Sequence, residues 1–258
     1  RSQERQGGTD RGDSREVTQS NEEGQNPTEE DKPDDSVLDR DGSGDVMKVY
    51  CGSVGGIKAL TFLWKKDYGI MLNPISWKYS QGGALDWRYW ALDNGAYKSY
   101  VDNTEFDEDR FLKTVYEKVP KSDMKPDFIV VPDIVGGGKE SLGFSLHWYN
   151  RLRGLSKYNW YLAVQDGMEI DEIEKVVDRF DGIFVGGTVK WKVRTGEEWV
   201  RLAHAHNLPC HIGRVGVFRR IIWARRIKAE SIDSTSFIWK PNGFDILDSA
   251  KAQTLLEV

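Results

Sequence analysis

Eight short apolar runs, each closed by Gly, Pro, Asn or Asp and separated by segments of helical periodicity, constrain this chain more than any other feature. They cover residues 48–51, 69–73, 89–93, 127–133, 160–165, 182–186, 209–213 and 230–233. The runs are nearly continuous in apolar character rather than alternating, as expected for strands buried on both faces of a parallel sheet. Between them, residues 107–118 place Phe111, Leu112, Val115 and Tyr116 on one helical face, and 141–155 do the same with Leu142, Leu146, Tyr149 and Leu152. Residues 169–180 repeat the pattern with Ile170, Ile173, Val176 and Val177, and 217–227 form an Arg-rich amphipathic helix. Thr195, with Glu198 three residues on, reads as a capping box that starts a further helix. Strands alternating with helices imply an α/β fold, and a count of eight predicts a closed (β/α)8, TIM-like barrel, with a doubly wound open sheet as the alternative. The first two units are the least regular, and 73–88 reads as a long loop.

Composition matters most where it changes along the chain. The 258 residues carry 36 basic and 41 acidic side chains, a net charge of −5. Residues 1–46 hold six of the basic and fourteen of the acidic groups, no aromatic and no methionine. Such a segment cannot bury enough apolar surface to offset its ordering entropy, so it is expected to be a disordered acidic leader before a catalytic domain at 47–258. The domain itself is then mildly basic, with Lys190, Lys192, Arg194, Arg201, Arg214, Arg219, Arg220, Arg225, Arg226 and Lys228 opposed only by Glu197 and Glu198 in one stretch. That cluster is a candidate phosphate-backbone footprint, with Lys190, Lys192, Arg194, Arg219 and Arg220 as its expected nucleic-acid contacts. A solvated helix face is the plainer alternative. Two cysteines, Cys51 and Cys210, and four histidines give neither a disulfide scaffold nor a Cys-rich zinc site. No run of eighteen apolar residues and no charged-then-apolar leader occurs, so a cytoplasmic protein without a membrane span is expected.

In a barrel of this kind the site is built where the strands end. Those positions carry Asp93, Asp133, Gln165, Gly186 with Gly187, the segment from His211 to Arg214, and Asp233. An isolated Asp at a strand end is commonly a turn or cap residue. Three of them at equivalent positions are an arrangement that stability alone does not require. Two carboxylates can divide labour as nucleophile and acid/base at a glycosidic bond. A third, with an amide, can read the donor and acceptor edge of a flat heterocycle. Paired glycines let a backbone N–H approach a ring carbonyl without a Cβ in the way. Gly136-Gly-Gly-Lys139 is no Walker loop, because Asp133 stands where the first glycine is needed.

The series resembles the tRNA-guanine transglycosylase superfamily, and within it the branch of deazapurine DNA-modification transglycosylases. The matching pieces are Leu92-Asp-Asn-Gly-Ala-Tyr97, Val131-Pro-Asp133, Leu162-Ala-Val-Gln-Asp-Gly167, Gly182-Ile-Phe-Val-Gly-Gly-Thr-Val-Lys-Trp-Lys192, His211-Ile-Gly-Arg-Val-Gly216 and Ala229-Glu-Ser-Ile-Asp-Ser-Thr235, in the family's order. The resemblance implies that Asp233 is the nucleophile that displaces guanine from C1′, and that Asp93 is the acid/base acting on N9 of the incoming base. Asp133 and Gln165 would hold the base edge, with the Gly187 N–H beside Gly186 on its carbonyl. His211 and Arg214 match the next strand end, as a structural or functional histidine and a base or phosphate contact. Tyr97 or Trp191 would stack on the base unless they serve as core aromatics. The implied substrates are a guanine nucleotide in DNA, flipped out or unpaired, and a 7-deazaguanine base, 7-cyano-7-deazaguanine (preQ0) or a derivative. Neither cofactor nor metal is implied. Only twenty-five residues follow Asp233, without a cysteine, whereas the tRNA enzymes continue into a Cys-rich zinc element, so DNA is expected rather than tRNA. Family members of the DNA branch modify phage or mobile-element DNA against restriction, which suggests a bacterial, archaeal or phage-infected host cell. The alternatives are a tRNA enzyme and a catalytically inert nucleic-acid-binding barrel.

Overall fold

The computed structural model describes residues 47–52, 61, 63, 65–76, 89–122, 124–240, 242, 243 and 245–249. The expected acidic leader and most of the expected loop at 73–88 lie outside the described residues. All eight apolar runs contain strands: β1 (Lys48–Gly52), β2 (Gly69–Leu72), β3 (Trp90–Leu92), β4 (Ile129–Val130), β5 (Trp160–Val164), β6 (Gly182–Val185), β7 (Cys210–Ile212) and β8 (Ser231–Ser234). They pair in chain order, every pair parallel, and β1 closes on β8 with Tyr50 opposite Asp233. The sheet is therefore a closed (β/α)8, TIM-like barrel and not an open sheet.

The period-2 alternation of each strand divides the apolar residues between two cores. Tyr50, Met71, Ala91, Phe128, Val130, Tyr161 and Ala163 fill the barrel interior together with Tyr89 and Phe184. Their neighbours in sequence, among them Cys51, Ile70, Leu92, Ile129, Leu162, Ile183 and Ile232, face outward and pack under the helices. Phe128 and Tyr161 stack at 4.2 Å, and Tyr50 meets Phe128 edge-on at 5.7 Å. This aromatic layer is a dry floor beneath the polar residues that end the strands.

The helices that follow the strands are α1 (Ala96–Val101), α2 (Glu108–Lys113), α3 (Lys139–Leu152), α4 (Ile170–Glu174), α5 (Val189–Ala205), α6 (Phe218–Arg226) and α7 (Ser236–Trp239). Three departures from expectation have local causes. The helix expected over 107–118 is capped by the Asp107 side chain on the Arg110 N–H at 3.0 Å, then widens into a π-turn at Thr114–Lys118 and tightens before Pro120. The one expected over 169–180 is interrupted after Glu174 and resumes as a 3₁₀ turn at Val177–Arg179. Thr195 is not an N-cap. The helix starts at Val189, capped by Thr188, whose hydroxyl accepts from the Trp191 N–H at 3.3 Å. Thr195 lies within it, bonding the Trp191 carbonyl at 2.9 Å. The helix runs through Gly196, where a Cβ would come within 2.8 Å of the Trp223 ring on α6.

Candidate active site at the barrel mouth

Asp233 is buried on β8 at the centre of the mouth, and one of its oxygens is held twice. Oδ1 lies 3.0 Å from His211 Nε2 and accepts from the Arg214 N–H at 3.1 Å, while Oδ2 takes no hydrogen bond among the described residues. His211 has no exposed surface. Its Nδ1 lies 2.8 Å from the Ser231 hydroxyl, and its ring stacks on Phe184 at 4.8 Å. Burial holds the imidazole below its ordinary titration range, against the pull of Asp233. Read as neutral, with Nε2–H on the carboxylate and Nδ1 accepting from Ser231, the ring fixes Asp233 in one orientation and leaves Oδ2 without a partner among the described residues. His211 is thus placed as a positioning residue, the structural one of the two roles that its strand-end place left open.

Asp93 and Asp133 end β3 and the segment after β4. Among the described residues the Asp93 carboxyl takes only weak backbone partners, the Gly95 N–H at 3.4 Å and the amide of Asn94. Desolvation, with Asp133 and Asp233 nearby, pushes it up to about 7. Asp133 is raised to about 6, mainly by desolvation and against the hydrogen bonds that favour its charge. Its Oδ1 accepts from Asn94 Nδ2 at 2.8 Å and its Oδ2 from Gln165 Nε2 at 3.2 Å. Each oxygen retains a lone pair for a ligand. Gln165 has no N–H to spare. Its two amide hydrogens are shared among the Ile134 carbonyl at 2.9 Å, Ser141 Oγ at 2.8 Å and the longer approach to Asp133, and its oxygen accepts from the Gly136 N–H. Gln165 therefore braces Asp133 and the glycine loop, and its N–H groups are not free to hold a base edge as expected.

Gly186 continues the ladder with its N–H on the Val164 carbonyl at 2.8 Å. The Gly187 N–H meets no acceptor among the described residues. Gly187 adopts φ 71°, and a Cβ there would stand 2.5 Å from Asp166 Oδ2, so only glycine fits. Arg214, itself left-handed at φ 57°, reaches back to donate to the Gly187 carbonyl at 2.7 Å and lies 5.0 Å over the Tyr97 ring. Trp191 is a core residue, whereas Tyr97 is half exposed at the rim.

The basic cluster separates into a rim and one buried member. Lys190 and Arg194 leave the first turns of α5, Arg219 and Arg220 the first turn of α6, and both helix starts follow strand ends at the mouth. Lys190, Arg194 and Arg219 are exposed, Arg220 is half-buried, and none of the four is ion-paired among the described residues. Tyr97 and Tyr100 on α1 and Val189 and Val193 on α5 are also exposed. Lys192 does not belong to this surface. It is 3 % exposed, its ammonium donates to the Gly213 carbonyl, and burial lowers its titration to about 7. Asn94, Ser141 and Ser231 are site residues that the sequence reading passed over. Asn94 and Ser141 carry a readable signal, since each lies in or beside a quoted glycine-rich segment.

Among the described residues no group of three or more His, Cys, Asp or Glu side chains is placed to share a metal ion, and no helix is long and apolar enough to cross a membrane. No known family model matches the chain, and no curated protein matches it in sequence.

Proposed function

We propose that the barrel is a guanine transglycosylase that exchanges guanine in a nucleic acid, DNA in the first instance, for a 7-deazaguanine base such as preQ0. The observation that carries this reading is the unequal treatment of two carboxyls in one mouth. Among the described residues Asp233 is fixed through one oxygen with the other unpartnered, and Asp93 takes only weak backbone hydrogen bonds, with a titration point of about 7. In this reading Asp233 Oδ2 attacks C1′, the C1′–N9 bond breaks, and the departing guanine takes its electron pair together with the Asp93 proton. The incoming base returns its N9 proton to Asp93, N9 attacks C1′, and the bond to Asp233 breaks. An acid/base near neutrality serves both half-reactions equally. Asp133 and the open Gly187 N–H suit the donor edge and carbonyl of such a base. The unpaired rim cations and exposed tyrosines suit a polyanion with an unstacked base.

The test is incorporation of labelled preQ0 and guanine into duplex DNA, single-stranded DNA and tRNA by wild type and Asp233→Ala. Incorporation into DNA alone, lost in the variant, supports the chemistry and the polymer. Incorporation into tRNA alone keeps the chemistry and overturns the polymer. None in any polymer, with no covalent enzyme–nucleic acid adduct, overturns the reading.

A further inference from the structure

Lys192 is the one cation of the basic cluster that faces the barrel axis side of α5, and it is 3 % exposed. The only hydrogen bond of its ammonium among the described residues is to the Gly213 carbonyl. The same peptide unit carries the Arg214 N–H, which is 3.1 Å from Asp233 Oδ1. An ammonium on one end of an amide and a carboxylate on the other polarise it in the same sense, and such chained hydrogen bonds strengthen one another in a low-dielectric interior. The peptide is held on every side. Gly213 leaves no room for a Cβ between the Phe184 ring, at 2.9 Å, and Asp233 Oδ1, at 3.3 Å. Arg214 is anchored in a left-handed conformation by its guanidinium on the Gly187 carbonyl.

We infer that Lys192 is a positioning residue for Asp233, acting through the Gly213–Arg214 peptide: its ammonium fixes and polarises the amide whose N–H holds the carboxylate oxygen. Its role in catalysis rests on the transglycosylase reading, but the coupling itself does not. The charged groups around the amine are Arg214 and Arg220, which disfavour its charge, Asp233 and Asp166, which favour it, and buried His211 beyond. Desolvation outweighs them all, so the ammonium loses its proton around pH 7 in the resting protein. Above that pH the neutral amine is a weaker donor, and the grip of the Arg214 amide on Asp233 relaxes.

The experiment follows the Arg214 backbone amide by 15N–1H NMR between pH 5.5 and 8.5, in wild type, Lys192→Met and Lys192→Arg, with melting curves as fold controls. The expected result is an Arg214 amide shift that titrates with a midpoint near 7 in wild type and moves upfield as the hydrogen bond weakens. Lys192→Met should lack that step, and Lys192→Arg, which stays charged, should hold the low-pH position throughout. A flat Arg214 amide in wild type, or the same step in folded Lys192→Met, overturns the coupling whatever the enzyme does. The step with no base exchange in wild type upholds the coupling and removes the transglycosylase reading. Where exchange occurs, Lys192→Met should lower the rate of adduct formation at least 10-fold at pH 6 with nucleic-acid affinity unchanged, and Lys192→Arg should recover part of it.

Discussion

Asp93→Asn should make the protein more stable above neutral pH while abolishing exchange. On folding, the carboxyl's titration point moves from 3.8 to about 7, chiefly because the mouth strips its water and then because Asp133 repels it. A carboxyl raised in the folded state binds its proton more tightly there, so its contribution opposes folding once the pH exceeds the unfolded value. The penalty grows from pH 4 to pH 7 and is constant beyond. At about 1.4 kcal/mol for each unit, the full displacement corresponds to about 4 kcal/mol. The carboxyl keeps some solvent contact, and screening brings the expected figure to about 2–4 kcal/mol. For a domain of this size that is a rise in Tm of about 5–15 °C.

The assay is urea and thermal unfolding of wild type and Asp93→Asn at pH 4, 6 and 8. The stability gap should be under about 1 kcal/mol at pH 4 and widen to its full value by pH 8. Comparing the gap across pH removes contributions common to both proteins. A gap independent of pH would refute the desolvated carboxyl. A variant less stable at pH 8 would mean that Asp93 serves chiefly to brace the Gly95 N–H, as an ordinary turn residue does.

Two further outcomes follow from the packing and charge of the mouth. Gly213→Ala inserts a methyl 2.9 Å from Phe184 Cζ and 3.3 Å from Asp233 Oδ1, and the displaced carboxylate should form the covalent adduct about 10- to 100-fold more slowly, measured by denaturing-gel trapping. Replacing Lys190, Arg194, Arg219 and Arg220 together by Ser should flatten the salt dependence of duplex DNA binding by about 0.9 in log–log slope for each phosphate that is no longer neutralised. Binding whose salt dependence is unchanged would place the polymer elsewhere on the surface.

The barrel was legible because its signal is repeated. Eight apolar runs with the turn residues that end them survive errors in any one boundary, and the strand ends name Asp93, Asp133 and Asp233 directly. The placement of Lys192 turns on one helix start. With the helix begun at Thr195, Lys190, Lys192 and Arg194 look like one charged run. With it begun at Val189, a rotation of about 100° per residue puts Lys190 and Arg194 on one face and Lys192 on nearly the opposite one. Lys192, Gly196, Trp199, Val200 and Ala203 then form a single buried stripe. The capping box misled because a threonine with a glutamate three residues on is equally content inside a helix, where its hydroxyl bonds the carbonyl a turn back. Gln165 could not be assigned from sequence at all. Whether an amide reads a ligand or braces a neighbour depends on Ser141, Ile134 and Gly136, which come from a different strand-to-helix connection.

The distribution of satisfied and unsatisfied groups separates a working mouth from a merely polar one. Gln165, Asn94 and His211 are bonded within the protein, and each steadies a carboxylate. Among the described residues Asp233 Oδ2 and the Gly187 N–H are left without partners, and the Asp93 carboxyl is held only weakly by backbone amides. Two of the surrounding features oppose stability: Asp93 and Lys192 are both desolvated away from their usual charge, and Arg214 stands in a left-handed backbone conformation that a side chain adopts only under constraint. At neutral pH Asp93 is held away from its usual charge at a cost in stability, which fits the proposed exchange chemistry. Groups held open at a cost in stability are what a site needs if it must present a nucleophile and a proton at pH 7. The rise in stability of Asp93→Asn, paired with loss of exchange, measures that trade directly.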